Sequence, residues 1–176
     1  MRLRSILLGS ALAAGTLVAS AGPAVAAPTP EDVPVPGGAY LISAAHSEQC
    51  LDVQGGGGDD YTPVIQYPCR VTANQAWRLV KIDDGQYALR VLHSGKCLDV
   101  ADNSQQNSAR VIQYDCHYGP NQLWRFTPGP DQTYYLTAVH SGKCLDVADN
   151  SQQPSTPVIQ YDCHGGINQQ WRLDRF

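Results

Sequence analysis

Only 16% of the 176 residues are charged, and no stretch gathers Lys and Arg into a basic cluster. Acidic residues outnumber basic ones, sixteen to twelve. That balance excludes the electrostatic footprint of a nucleic-acid binder or of a ligand for anionic membranes. No Cys-x-x-Cys pair occurs and the cysteines are widely spaced, so a zinc site is not indicated. A nucleophile elbow and metal-ligand spacings are equally missing, which removes the motifs that would mark a hydrolase or a metalloenzyme. No segment sustains a helical period. Beyond the N-terminus, no apolar run nears the roughly 20 residues that a membrane-spanning helix needs.

The N-terminus itself looks like a leader. Arg2 and Arg4 precede an apolar run over residues 6–18, and Ala24, Val25 and Ala26 supply small residues for a signal peptidase. We expect a secretory signal peptide over 1–27, a Pro/Gly-rich tail over 28–38 and one domain over 39–176. The exported chain then carries ten basic and sixteen acidic residues, a net charge of −6. Its expected place is extracellular, as a monomer.

A strict repeat organises the domain. Cys50, Cys97 and Cys144 lie 47 residues apart, as do Cys69, Cys116 and Cys163, and Trp77, Trp124 and Trp171. A fixed period without insertions means one structural unit used three times, over about 39–82, 83–129 and 130–176. Each unit reads His-Ser-x-x-Cys-Leu-Asp-Val, then Val-Ile-Gln-Tyr-x-Cys, then Asn-Gln-x-Trp. Six cysteines in an exported chain suggest three disulfides. Of the 15 possible pairings, the repeat favours Cys50–Cys69, Cys97–Cys116 and Cys144–Cys163, each closing the same 19-residue interval. Such a bridge is worth about 3 kcal/mol in chain entropy.

The unit is built from short β runs. Residues 39–45, 87–92 and 134–139 are rich in β-branched and aromatic side chains, and Gly, Asn, Asp and Pro punctuate the chain between runs. About four strands per unit give about twelve in all. Three such units around a pseudo-threefold axis describe an all-β, β-trefoil fold. A three-bladed propeller is the alternative on pattern alone, but propellers usually have at least about four blades.

Gln75-Ala76-Trp77, Gln122-Leu123-Trp124 and Gln169-Gln170-Trp171 resemble the Gln-x-Trp signature of ricin-B-type β-trefoil lectins. The Cys-Leu-Asp and Tyr-x-Cys motifs and their spacing are also similar to the family-13 carbohydrate-binding modules. The resemblance spans about 39–176. It implies a carbohydrate partner, such as a glycan or plant-type polysaccharide, with no cofactor and no catalysis. The Trp residues are expected in the core. The Gln beside each is expected to tie a hairpin.

A sugar presents paired hydroxyls and a C–H face, so its site needs a carboxylate or amide beside an aromatic plane. The units supply Asp52, Asp99 and Asp146, then Tyr67, Tyr114 and Tyr161, then Asn74, Asn121 and Asn168. The resemblance assigns the Asp to two hydroxyls, the Tyr to stacking and the Asn to completing the hydrogen bonds. It adds His117 and His164, where the first unit has Arg70. His46, His93 and His140 read as structural. The family commonly has Gln where Ile65, Ile112 and Ile159 stand. Gln66, Gln113 and Gln160 come one residue later, so either a bulge re-aims them or that contact is missing.

A glycosidase needs two carboxylates at a set separation, whereas here one Asp falls in each unit. Up to three weak, avid sites for galactose-, xylose- or arabinose-like sugars are expected, the second and third units binding best. Two other functions fit the same fold: a trefoil that binds a protein, as inhibitor or targeting module, and an accessory module of a separately encoded glycoside hydrolase.

Overall fold

The computed structural model describes residues 34–176; the expected signal peptide and most of the tail lie outside the described residues. Among the described residues, twelve strands run in three sets of four. The first set is β1 (Ala39–Ala44), β2 (Cys50–Val53), β3 (Val64–Tyr67) and β4 (Ala76–Asp83). The second is β5 (Gln86–Val91), β6 (Cys97–Val100), β7 (Ala109–Tyr114) and β8 (Trp124–Pro128). The third is β9 (Tyr134–Ala138), β10 (Cys144–Val147), β11 (Val158–Tyr161) and β12 (Trp171–Arg175).

Outer strands of each set close a ring. β1 pairs with β4, β4 with β5, β5 with β8, β8 with β9, β9 with β12, and β12 returns to β1, all antiparallel. Closure removes every edge from this six-stranded barrel. The inner strands form hairpins β2–β3, β6–β7 and β10–β11, which touch one another through β7–β11 and the bridges Pro63–Ile112 and Ile65–Pro157. A barrel with a triangle of hairpins upon it is the β-trefoil the repeat predicts. The three disulfides close within units, Cys50–Cys69, Cys97–Cys116 and Cys144–Cys163.

The Trp residues hold barrel and hairpins together. Trp77, Trp124 and Trp171 are fully buried in one hydrophobic core with Leu51, Leu98 and Leu145. Each indole Nε1 donates to the carbonyl of the Leu in its own unit's hairpin, at 3.0, 3.2 and 3.0 Å. Burying such a ring is worth about 4–6 kcal/mol in transfer terms, and the satisfied N–H avoids a buried unpaired donor.

The His-Ser motif and the fully buried Gln66, Gln113 and Gln160 hold the seams between units. Gln113 Oε1 accepts from Ser94 Oγ at 2.8 Å, while its Nε2 donates to Gly57 and Asp59 carbonyls of the preceding unit at 2.7 and 2.9 Å. His93 Nε2 also contacts Gly57 O, at 2.9 Å. Gln160 with His140 repeats this on Ser104 and Gln106. Gln66 with His46 closes the circle on Ser151 and Gln153 of the last unit.

Candidate functional site

Each hairpin positions one carboxylate under an open surface pocket. In Cys-Leu-Asp-Val the Leu and the Val face the core, so period-two alternation turns the Asp to the other face. Across the hairpin, Asp52 stands opposite Ile65, Asp99 opposite Ile112 and Asp146 opposite Ile159. The Tyr follows two residues later, on the same face as the Ile. Register through all three hairpins is unbroken, so no bulge re-aims Gln66, Gln113 or Gln160. Those Gln side chains lie on the seam face, and Ile takes their place in the pocket.

Three cavities result, of about 400, 500 and 280 Å³ in the first, second and third units. The first is lined by Asp52, Ile65, Tyr67, Arg70 and Asn74. Asp99, Ile112, Tyr114, His117 and Asn121 line the second; Asp146, Ile159, Tyr161, His164 and Asn168 line the third. The nine Asp, Tyr and Asn residues supplied by the repeat and the two His added by the family resemblance thus converge, one set per pocket.

The carboxylates are buried and already held by amides. Gln122 Nε2 donates to Asp99 Oδ2 at 2.8 Å and Asn121 Nδ2 to Oδ1 at 3.0 Å. Asp146 receives Gln169 and Asn168 at the same two distances. Burial pushes the carboxyls of Asp52, Asp99 and Asp146 above the usual range, against the pull of these donors. A carboxylate has about four lone-pair sites, so the two to three protein donors around Asp99 and Asp146 leave room for a ligand hydroxyl.

The Gln of Gln-x-Trp therefore does more than tie a hairpin. Gln122 is fully buried; its Oε1 accepts from the backbone N–H of His117 and Tyr118, and its Nε2 also donates to Asp115 O. It fixes the carboxylate and the loop that carries the His. Gln75 does the same between Asp52 and the Arg70 amide. Asn121 spends both N–H groups on Asp99 and Val100 O. Only its carbonyl oxygen remains for a ligand, as an acceptor.

His117 Nδ1 accepts from Gly119 N at 3.0 Å, and His164 Nδ1 from Gly166 N at 3.1 Å. With Nδ1 an acceptor, the proton of the neutral ring sits on Nε2. Nε2 lies 3.5 Å from Asp99 Oδ2 and 3.3 Å from Asp146 Oδ2. Each ring stands edge-on to the pocket Tyr, 6.1 Å between centroids. A Cβ on Gly119 or Gly166 would lie 2.8 or 2.5 Å from the imidazole, so this close approach requires glycine.

The first pocket is built differently. Arg70 lays its guanidinium over the Tyr67 ring, 4.9 Å from the centroid, with a nitrogen 3.4 Å from the phenol oxygen. Asn74 Nδ2 donates to Val53 O, and its Oδ1 accepts from Thr72. Gly55 and Gly56 stand at its rim where the other pockets have Asp102 and Asn103, or Asp149 and Asn150. All six have positive φ. These rim residues and the pocket Ile were not among those expected. The repeated Ala-Asp-Asn after Cys-Leu-Asp-Val was the available signal. Among the described residues, no cluster of three or more His, Cys, Asp or Glu could hold a metal ion.

Residues 38–171 match the ricin-type beta-trefoil lectin domain. No curated protein matches the chain. Among solved structures, the designed threefold-symmetric protein ThreeFoil is 47% identical, covering 77% of this chain and 96% of its own, with a TM-score of 0.76. The exo-beta-1,3-galactanase 1,3Gal43A from Clostridium thermocellum is 32% identical over 79% of this chain, with a TM-score of 0.77; the match spans 30% of that enzyme. A ricin B-like lectin from Macrolepiota procera, solved with lactose, shares the fold at 20% identity, covering 82% of this chain and 99% of its own at a TM-score of 0.71.

Proposed function

The chain belongs to the ricin-type β-trefoil lectin family, and from that premise we propose an exported, non-catalytic lectin with up to three sugar pockets. Its ligands are galactose-, xylose- or arabinose-like sugars, free or within a polysaccharide. The observation that carries this reading is the meeting of a buried, amide-held carboxylate with a half-exposed Tyr ring in one open pocket, once per unit. The carboxylate accepts hydroxyl protons, the Asn oxygen accepts another, and the ring takes the C–H face. His117 and His164 add an Nε2–H donor beside the carboxylate.

Export is supported by the leader-like N-terminus and by three disulfides, which persist in oxidising compartments. A shallow pocket with a Kd near 1 mM gives about −4 kcal/mol. Engaging one polymer through several pockets multiplies apparent affinity by roughly 10²–10⁴ where geometry permits. The likeness to part of a galactanase favours a second reading, an accessory module acting beside a separately encoded glycoside hydrolase.

The test is a glycan array with the native domain and the double variant Asp99→Asn, Asp146→Asn. Losing a hydrogen bond to a charged group costs about 1.5–3 kcal/mol, so each altered pocket should weaken at least about tenfold. Undiminished binding by a folded double variant refutes the assignment.

A further inference from the structure

We propose that Tyr61 makes the second pocket an extended site that engages two consecutive sugar units, where the other two pockets engage one; this rests on the lectin reading. Each pocket takes one wall residue from the preceding unit around the ring: Ser155 in the first, Tyr61 in the second, Ser108 in the third. The three positions are 47 residues apart in sequence. Their backbones match. All have positive φ, of 66, 62 and 64°, and each N–H donates to the carbonyl of the seam Gln, at 2.9, 3.1 and 2.9 Å. Only the side chain differs.

A tyrosine is a poor choice for that backbone. The left-handed region disfavours bulky residues, and Tyr61 recovers little through burial because it is 49% exposed. It is held by the pocket instead. Its hydroxyl lies 3.2 Å from Asp102 Oδ1, and its ring meets Tyr114 edge-on, 5.3 Å between centroids and 84° between planes. The two rings form a corner.

One wall of that corner, Tyr114 with Asp99, carries the aromatic and carboxylate pair proposed to bind a sugar. The other wall, Tyr61 with Asp102, repeats the same two chemistries. The third pocket has the matching Asp146, Tyr161, His164 and Asn168 and also Asp149, but serine in place of Tyr61. The first has serine and, in place of the carboxylate, Gly55. Among the three, the second is the largest, at about 500 Å³ against 280 Å³ for its nearest sequence copy.

Titration calorimetry in an Asp52→Asn, Asp146→Asn background isolates the second pocket, with galactose against β-1,3-galactobiose and xylose against xylobiose. Tyr61→Ser is the variant, because serine already occupies this backbone at 108 and 155. We expect the disaccharide to bind about three- to tenfold more weakly to the variant, with monosaccharide affinity within twofold. Ser108→Tyr in the native chain should add a second disaccharide-preferring site. Equal losses for both sugars, no loss for either, or tighter monosaccharide binding would overturn the extended site and leave the lectin reading standing. Binding by the native domain but not by the background would overturn the extended site alone, whereas a native domain that binds no sugar overturns both readings.

Discussion

Arg70→His should restore the first pocket toward the other two. In the native chain the Arg70 guanidinium lies over the Tyr67 ring, and both line the first pocket, so it competes with a sugar ring for that aromatic surface. The guanidinium is exposed, and a cation–π contact of that kind is worth about 0.5–1 kcal/mol. A ligand must displace it, so its removal should tighten binding about two- to fivefold. The new imidazole would also stand where His117 and His164 approach their carboxylates at 3.5 and 3.3 Å. The opposing effect is electrostatic: Arg70 helps to hold the Asp52 carboxyl down against its burial. Titration at about pH 8 limits that loss. The assay is calorimetry with galactose and xylose in an Asp99→Asn, Asp146→Asn background, so that only the first pocket reports. Because Arg70 is exposed, stability should change by no more than about 0.5 kcal/mol. Unchanged or weaker binding by the folded variant would refute the argument that the guanidinium competes with sugar.

Gln113→Leu should destabilise the fold by about 3 kcal/mol, since its two hydrogen bonds across the seam and its one with Ser94 inside the unit each contribute about 1 kcal/mol; urea unfolding measures it, and a loss under about 1 kcal/mol would count against the seam as a structural device. Acidification should weaken sugar binding before it unfolds the chain. The carboxyls of Asp52, Asp99 and Asp146 lie above their unfolded value of about 3.9, so protonation removes ligand acceptors at a pH above that value. The same shift makes their stability contribution full below the unfolded value and lost as pH rises through the folded one. Asp162, which Lys143 holds below the usual range, works in the opposite sense, its contribution falling away in acid. Sugar titrations paired with thermal melts from pH 7 to about 4 check this; binding that falls only in step with melting would contradict it.

The repeat made most of the fold readable. Cys, Trp and Leu-Asp-Val at one period define a unit, and a unit that cannot bury its own apolar face must be completed by its neighbours. The pocket Asp, Tyr and Asn were legible for the same reason: polar residues that recur at fixed places beside core residues are held by the same backbone. What the seams do was harder to read. The His of His-Ser and the buried Gln recur as regularly as the site residues, yet they bond to carbonyls of another unit, and a carbonyl has no letter in the sequence. The rim is hidden differently. Asp102, Asn103 and their third-unit counterparts share a left-handed turn with Gly55 and Gly56, so three unlike residue types satisfy one backbone demand.

That arrangement changes how divergence among the units should be interpreted. The first unit departs from the other two at Gly55, Gly56 and Arg70, and all three act in its own pocket. Tyr61 is also a first-unit departure, yet its side chain lies in the second pocket. By the same geometry, the outer wall of the first pocket is Ser155 of the last unit, so that pocket is complete only when the barrel has closed β12 onto β1. A single unit excised from the ring would keep its Asp, Tyr and Asn but lose a wall and the carbonyl partners of its seam Gln. Triplication therefore supplies more than three chances to bind: each unit finishes its neighbour's pocket, and closure of the fold and completion of the sites are one event.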